Sequence, residues 1–143
     1  MKIPARPHTL EGGTYEVPIL SCTSTPGTDG KIATGNIKIV INHNEMGIFE
    51  VFCYAQIDGE NISDWTEALG RSISIGLRGG IPVETYIEQL KGIRNSPIWQ
   101  GRELIQSGPD GIAKALQEEQ AYLASLRKTP VLPAQVQSLE REP

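Results

Sequence analysis

The sequence predicts a single α+β domain in which an antiparallel β-sheet packs against about three C-terminal α-helices. Two segments of alternating apolar residues flank a short turn that contains glycine, a pattern typical of paired strands. The stretch 63–94 then carries two amphipathic helical patterns with clear stop signals, and a third such pattern follows. Because the strands precede the helices in the chain, we expect the helices to cover one face of the sheet.

Three strands are predicted for the sheet. The first, Thr14–Leu20, is short, and Pro18 restricts it to an edge because proline cannot donate a ladder hydrogen bond. The second, Asn36–Asn42, and the third, Ile48–Gln56, each place apolar side chains on one face. The turn 43–47 that joins them has the length and the glycine of a hairpin connection.

The helix pair in 63–94 has well-marked ends. Ser63 can cap the first helix and Gly79-Gly80 ends it, while Pro82 suits the first turn of the second helix and Gly92 closes it. The apolar face of the first helix is predicted to contain Trp65, Ala68, Leu69, Ile73 and Leu77. The apolar face of the second is predicted to contain Val83, Tyr86, Ile87 and Leu90.

Two glycines, Gly70 and Gly76, lie inside the first predicted helix. Each disfavours the helix by about 1 kcal/mol relative to alanine, so a close neighbour must offset this effect. We therefore predict close helix–helix approach at these positions and, as a hypothesis, a homo-oligomer.

The segment 95–110 is predicted to be a long loop with proline, glycine and tryptophan, of the kind that often carries function. A third helix is predicted from about Pro109 to Lys128, with Glu118 and Glu119 on its solvent side. Residues 1–9 are predicted to form an N-terminal arm, 10–128 the domain, and 129–143 a flexible or draped tail.

Composition narrows the classes of function. The chain has 143 residues, a net charge of −4 and no apolar run of membrane length, so we expect a cytoplasmic protein that binds neither membranes nor long nucleic acid. Cys22 and Cys53 form no C-x-x-C pair and are interpreted as incidental thiols. His8 and His43 are expected in exposed segments, with no acid or nucleophile nearby in the sequence to suggest catalysis.

Several ordered blocks resemble a known family. They are L-E-G-G-T-Y-E-V, G-N-I-K-I-V-I-N, F-E-V-F, T-E-A-L-G-R, L-R-G-G-I-P-V-E, Q-L-K-G-I-R and S-G-P-D-G-I-A-K-A-L. In this order they resemble the TSCPD domain, found at the carboxyl end of adenosylcobalamin-dependent ribonucleotide reductases, over about residues 10–116. The resemblance implies the α+β fold described above.

This sequence departs from the family at its cysteine positions. Where the family carries cysteines that would suit a structural zinc site, this chain has Asn36, Asn61, Asn95 and Gly108. We therefore predict that the protein binds no metal and needs no cofactor. It also lacks room for the reductase itself.

A stand-alone TSCPD-like domain without these cysteines is similar to the Thoeris anti-defence 1 family of phage proteins. That resemblance implies a sponge that holds cyclic ADP-ribose isomers, and in some members cyclic oligonucleotides, without cleaving them. It also implies a dimer or hexamer in the cytoplasm of the host bacterium. Two alternatives are an accessory domain that docks on a ribonucleotide reductase and a weak enzyme acting on nucleotides. We expect no enzymatic activity.

Such a ligand needs a stacking surface, cationic donors and polar groups. We predict that Trp99 stacks on a base, with burial as a loop anchor as the alternative, and we assign Trp65 to the core. The remaining ligand-binding candidates are Arg71, Arg94, Asn95, Asp110 and Arg127. For each arginine the alternative is a solvated or salt-bridged surface residue, and for Asp110 it is an acid of the first helical turn.

Overall fold

The computed structural model describes residues 2–20, 34–56 and 63–128. The predicted tail 129–143 lies outside these ranges, as does Cys22. In chain order the elements are β1 (Glu11–Leu20), β2 (Thr34–Asn44), β3 (Gly47–Gln56), α1 (Ser63–Arg78), α2 (Val83–Leu90), β4 (Ile98–Gln100), β5 (Glu103–Ile105) and α3 (Gly108–Lys128). The predicted α+β class is confirmed.

The first three strands form one antiparallel sheet in the order β1-β2-β3. In the middle of the sheet Tyr15 pairs with Ile39, and Ile39 pairs with Cys53. The three inward isoleucines of β2, Ile37, Ile39 and Ile41, are buried. Pro18 lies on β1, which is an edge strand as predicted.

Helix α1 lies very close to the backbone of β3. A Cβ atom on Gly70 would lie 3.0 Å from the amide nitrogen of Cys53, so only glycine fits there without a shift. The side of α1 that faces the sheet therefore carries small and polar residues, namely Thr66, Gly70 and Ser74, beside Ile73. Of the predicted apolar face, Leu69, Ile73 and Leu77 lie in or against the core, whereas Trp65 and Ala68 are exposed.

Ser74 of α1 forms hydrogen bonds with the backbone of β3, on the side of that strand that has no neighbouring strand. Its hydroxyl oxygen accepts from the Val51 N–H at 2.8 Å, and the hydroxyl donates to the Val51 carbonyl at 2.8 Å. One side chain thus satisfies both backbone groups that an edge strand leaves without a partner strand.

We expect Ser74→Ala to lower the free energy of unfolding by about 1–3 kcal/mol, because it leaves a buried N–H and a buried C=O of Val51 without partners. Ser72→Ala is the matched control, since Ser72 is an exposed serine on the same helix. Urea unfolding of both variants measures the difference. Equal stability of the two variants would contradict a structural role for Ser74.

The helix pair folds back on itself at the predicted glycines. Gly80 has a φ of +102° after the end of α1, and Gly92 has a φ of +83° after the end of α2. Inside α1, a Cβ on Gly76 would overlap the hydroxyl of Tyr86 from α2. Gly70 and Gly76 are thus both explained by contacts within one chain, so the hypothesis of an oligomer needs another argument.

Residues 95–110 are more ordered than the predicted loop. Strands β4 and β5 form a small hairpin whose turn contains Gly101, with a φ of +61°. The hairpin contacts β1, where the Gln100 side-chain amide donates to the Glu16 carbonyl at 2.9 Å. Each of these strands has only 3 residues, which is too short for an alternating apolar pattern to predict a strand.

Helix α3 crosses the inner face of the sheet. Its residues Ile112 and Leu116 are buried in the same core as Ile37 and Ile39. A Cβ on Gly111 would lie 2.8 Å from a methyl carbon of Val17, so the first turn of α3 packs directly on β1. The N-terminal part of the chain is held by Arg6, whose guanidinium pairs with the buried Glu50 at 2.8 Å.

Candidate functional site

A pocket of about 280 Å³ opens beside the first turns of α1 and α3, and we call it the α1–α3 pocket. Its floor consists of the buried side chains Ile19, Ile37, Ile105 and Ile112. Its hydroxyl and amide groups come from Thr66, Asn95, Ser96 and Ser107. An apolar concavity with a few polar groups is the usual form of a small-molecule site.

Trp65 borders the α1–α3 pocket, and its residue surface is 76% exposed. Its assignment to the core is wrong because α1 directs Gly70 and Ser74, which allow close contact, toward β3. The indole consequently lies at the pocket rim. An exposed indole in this position offers a flat surface on which a purine or another planar group can stack.

The first turn of α3 closes one side of the pocket. Ser107 is buried, and its hydroxyl oxygen accepts from the Asp110 N–H at 3.1 Å, so it caps the helix. Ser107, Gly108 and Pro109 all line the pocket. The Ser107 carbonyl also accepts from the Gly111 N–H at 3.0 Å, and Pro109 has no N–H, so this turn is satisfied largely from within the chain.

Asn95 is the predicted ligand residue that lines this pocket. Asn95 is exposed. Its backbone N–H donates to the Gln106 carbonyl at 3.0 Å, and this hydrogen bond fixes the chain between α2 and β4. The preceding Arg94 is also exposed, and its Nε donates to the Gln106 side chain at 3.1 Å. Both candidates thus belong to the pocket end of the molecule.

Trp99 lies on β4 and does not line the α1–α3 pocket. It is 67% exposed, which argues against the alternative that it is a buried loop anchor. Its cross-strand partner is Leu104, so the two side chains share one face of the hairpin. Trp99 therefore stays a prediction for stacking, at a surface separate from the pocket.

Asp110 has an internal role. It is 0% exposed, and its carboxylate accepts from the Gly92 N–H at 2.8 Å, the Gln106 N–H at 2.9 Å and the Lys114 ammonium at 2.9 Å. Burial opposes the charged form, but the two backbone hydrogen bonds and Lys114 together hold the pKa of Asp110 below its usual value. These contacts favour the structural alternative over a ligand contact.

The other two arginine candidates lie away from the pocket. Arg71 is exposed on α1 and forms an ion pair with Glu67 at 2.8 Å. Arg127 is near the far end of α3, about 28 Å along the helix from Gly108 at 1.5 Å per residue. A single chain therefore does not bring all the predicted ligand residues to one place.

A buried polar cluster was missed by the sequence analysis. Glu119 is 2% exposed, accepts from the Tyr15 hydroxyl at 2.5 Å, and lies 3.4 Å from His43 Nδ1. Burial and the Glu119 carboxylate raise the pKa of Tyr15. The predictions that Glu119 faces solvent and that His43 is exposed were wrong.

The signal for this cluster is the spacing on α3. Glu119 follows Ile112 and Leu116 by seven and three residues, which places it on the buried stripe of the helix. Gly13 on β1 leaves room for the Glu119 side chain, since a Cβ atom at position 13 would lie 2.7 Å from the Glu119 carboxylate.

Of the four positions that carry cysteines in the resembling family, the three that the structure describes lie at or beside the α1–α3 pocket. Asn95 and Gly108 line it, and Asn36 pairs with the lining residue Pro18, while Asn61 lies outside the described residues. Amide side chains and a glycine do not provide the thiolates of a structural zinc site. Within ranges 2–20, 34–56 and 63–128, no group of three or more His, Cys, Asp or Glu residues is arranged to hold a metal. These residues therefore do not fit the implied metal.

None of the helices that the structure describes is both long and apolar enough to cross a membrane.

Comparison with known proteins gives one match. The family model described as the TSCPD domain matches residues 2–120, which include the sheet, the helix pair and most of α3. No curated protein and no solved structure matches the chain.

Proposed function

We propose, from the premise that this chain belongs to the TSCPD domain family, that it binds and sequesters a small cyclic nucleotide without cleaving it. The α1–α3 pocket is the proposed site. The observation that carries the proposal is the exposed Trp65 indole at the rim of an apolar pocket. Cyclic ADP-ribose isomers are the proposed ligands, with cyclic oligonucleotides as further candidates.

The pocket offers one group for each part of such a ligand. The Trp65 indole supplies a stacking surface for the base, and Asn95 and Ser96 offer polar groups to ribose hydroxyls. The exposed Arg94, which precedes Asn95, is the proposed cation for the pyrophosphate. The described lining consists of apolar, hydroxyl and amide side chains, whereas acid–base cleavage requires a titratable group in reach.

The biological part of the proposal follows from the resemblance. The protein acts as a phage anti-defence sponge in the cytoplasm of the host bacterium, and it forms a homodimer or a hexamer. A second copy would bring Arg71 or Arg127 to a ligand that one chain holds only in part. Light scattering at micromolar concentration tests the assembly, and a monomer there would count against it.

A retention experiment tests sequestration. The purified protein is incubated with cyclic ADP-ribose isomers and cyclic oligonucleotides, free ligand is removed, and the protein is denatured. We expect mass spectrometry to find intact ligand in the released material. Altered products would indicate an enzyme, and absence of any retained nucleotide would refute the proposal.

For a retained ligand, Trp65→Ala should weaken binding by about 1–3 kcal/mol, which is roughly 5- to 150-fold in Kd, because a stacking surface is lost. Trp99→Ala is the matched control, since it removes the second exposed tryptophan outside the pocket. Isothermal titration gives both constants. A loss of affinity with Trp99→Ala alone would move the site to the β4–β5 hairpin.

The single-tryptophan variants add an optical test. The sequence has 2 tryptophans, so Trp99→Phe leaves Trp65 as the fluorophore and Trp65→Phe leaves Trp99. Ligand should quench the first variant and leave the second unchanged.

An accessory domain that docks on a ribonucleotide reductase is the second candidate. It is favoured by the family match over residues 2–120. Co-purification with the reductase of the same cell, without retained nucleotide, would support it over the sponge.

A further inference from the structure

A buried hydroxyl group, that of Ser107, lies in the largely apolar α1–α3 pocket. Ser107 is 6% exposed, and it lines the pocket together with the buried side chains Ile37, Ile105 and Ile112. Thr66 is the other buried polar residue of the described lining, and it already takes part in an interaction within the chain. The Ser107 hydroxyl therefore has apolar neighbours, among which a hydrogen bond is stronger than in water.

The Ser107 hydroxyl has its acceptor side occupied and its donor side open. Its oxygen accepts from the Asp110 N–H at 3.1 Å. Among the residues that the structure describes, no oxygen or nitrogen accepts the hydroxyl hydrogen. A serine hydroxyl carries one donor, and a buried donor without an acceptor is unfavourable. A ligand with an acceptor at this position would satisfy the donor.

The position of this hydroxyl is set before a ligand binds. The Ser107 carbonyl accepts from the Gly111 N–H at 3.0 Å, which holds the residue against the first turn of α3. The N–H of the preceding residue, Gln106, donates to the buried Asp110 carboxylate at 2.9 Å. Ser107 is thus held on both sides. A donor in a fixed position discriminates between ligands by the place of their acceptors.

We propose that Ser107 is the specificity-determining residue of the α1–α3 pocket, and that its hydroxyl donates to a ring nitrogen of the bound base. This role rests on the proposed function, since it takes the base of a nucleotide as the occupant. The apolar floor suits the faces and C–H edges of a planar heterocycle, and Trp65 at the rim offers a stacking surface. Neither contact depends on where the ring nitrogens lie. Ser107 therefore selects the heterocycle and its orientation.

Binding of adenosine and its deaza analogues tests this role. In each analogue one acceptor nitrogen of the purine ring is replaced by C–H, which keeps the shape of the ring. We expect the wild type to bind one analogue roughly 5- to 150-fold more weakly than adenosine, because the buried Ser107 hydroxyl then faces C–H and has no acceptor. NMR titration of the full chain with each nucleoside measures the dissociation constants.

Two substitutions separate the hydroxyl from the helix cap. Ser107→Gly removes the hydroxyl but keeps a residue that is favourable at a helix N-cap, so the fold is retained. This variant should bind adenosine and the discriminated analogue with equal affinity. Ser107→Thr keeps the hydroxyl and should keep the discrimination. If Ser107 had a structural role alone, its substitution would weaken the binding of all the nucleosides alike.

The proposal is overturned if the wild type binds all the nucleosides alike or binds none of them. It is also overturned if Ser107→Gly discriminates as the wild type does, because another donor then contacts the ring nitrogen. These outcomes are separate from retention of cyclic nucleotides. A protein that retains cyclic ADP-ribose without discriminating the analogues keeps the proposed function and refutes the role of Ser107. A protein that discriminates them but retains no cyclic nucleotide supports this role and refutes sequestration.

Discussion

Asp110→Ala is expected to lower the free energy of unfolding by about 3 kcal/mol, near the lower end of the range for breaking a buried ion pair. The substitution leaves the N–H groups of Gly92 and Gln106 without their acceptor, and it leaves Lys114 as a largely buried cation. These groups join the end of α2, the end of β5 and the first turn of α3. Urea unfolding measures the effect.

Two further variants sharpen this prediction. Asp110→Asn keeps the shape and one acceptor oxygen, so it should destabilise less than alanine does. Asp64→Ala removes an exposed acid near the start of another helix and should change stability by less than about 1 kcal/mol. If Asp110→Ala had as little effect as Asp64→Ala, the buried carboxylate would not connect these elements.

The contribution of Asp110 also depends on pH, with a definite sign. Hydrogen bonds and Lys114 hold its folded-state pKa below the unfolded value of about 3.9, against the opposing effect of burial. The stabilisation is therefore fully present above the unfolded pKa, and it is lost as the pH falls through the folded pKa. The stability advantage of the wild type over Asp110→Asn should be constant from pH 7 to pH 5 and shrink below about pH 4.

Gly76→Ala is the second large expected effect, a destabilisation of about 2 kcal/mol. In an isolated helix the change would stabilise by about 1 kcal/mol. Here the new Cβ overlaps the Tyr86 hydroxyl and lies 2.7 Å from the ring carbon that carries it. Tyr86 packs against the core, so its ring has little room to move away.

A double-mutant cycle with Tyr86→Phe tests this explanation. Removing the hydroxyl relieves the worst overlap but leaves the ring carbon in place, so we expect partial rescue of Gly76→Ala. Chemical denaturation of the four proteins gives the coupling energy. A more stable Gly76→Ala protein would show that α1 and α2 do not press against each other at this point.

Much of the fold follows from local sequence. Pro18 required an edge strand, and alternating apolar residues in β2 and β3 set the inward face of the sheet. Gly80 and Gly92 marked the helix ends because their positive φ angles are accessible to glycine and strained for other residues.

The candidate site was only partly predictable. Asn95 was predicted as a ligand residue because it stands where the resembling family carries a cysteine. The structure shows that it lines the pocket. Trp65 was missed because helical periodicity ranks large apolar residues as buried, whereas α1 approaches β3 so closely that small residues are needed there. Glu119 was missed because its partners, Tyr15 and His43, come from strands far away in the sequence.

The sequence by itself determined the order of the first three strands and the three helices, the ends of the helix pair, the antiparallel sheet and the TSCPD family, because these depend on local backbone preferences and ordered motifs. Only the tertiary structure decided that Thr66, Gly70 and Ser74 of α1 are buried, that Asp110 is an internal connector, and that Trp65 borders a pocket. Burial of small and polar side chains depends on partner atoms from distant segments, and local spacing does not specify those partners. The tryptophan assigned to the core is therefore the one that carries the proposed function.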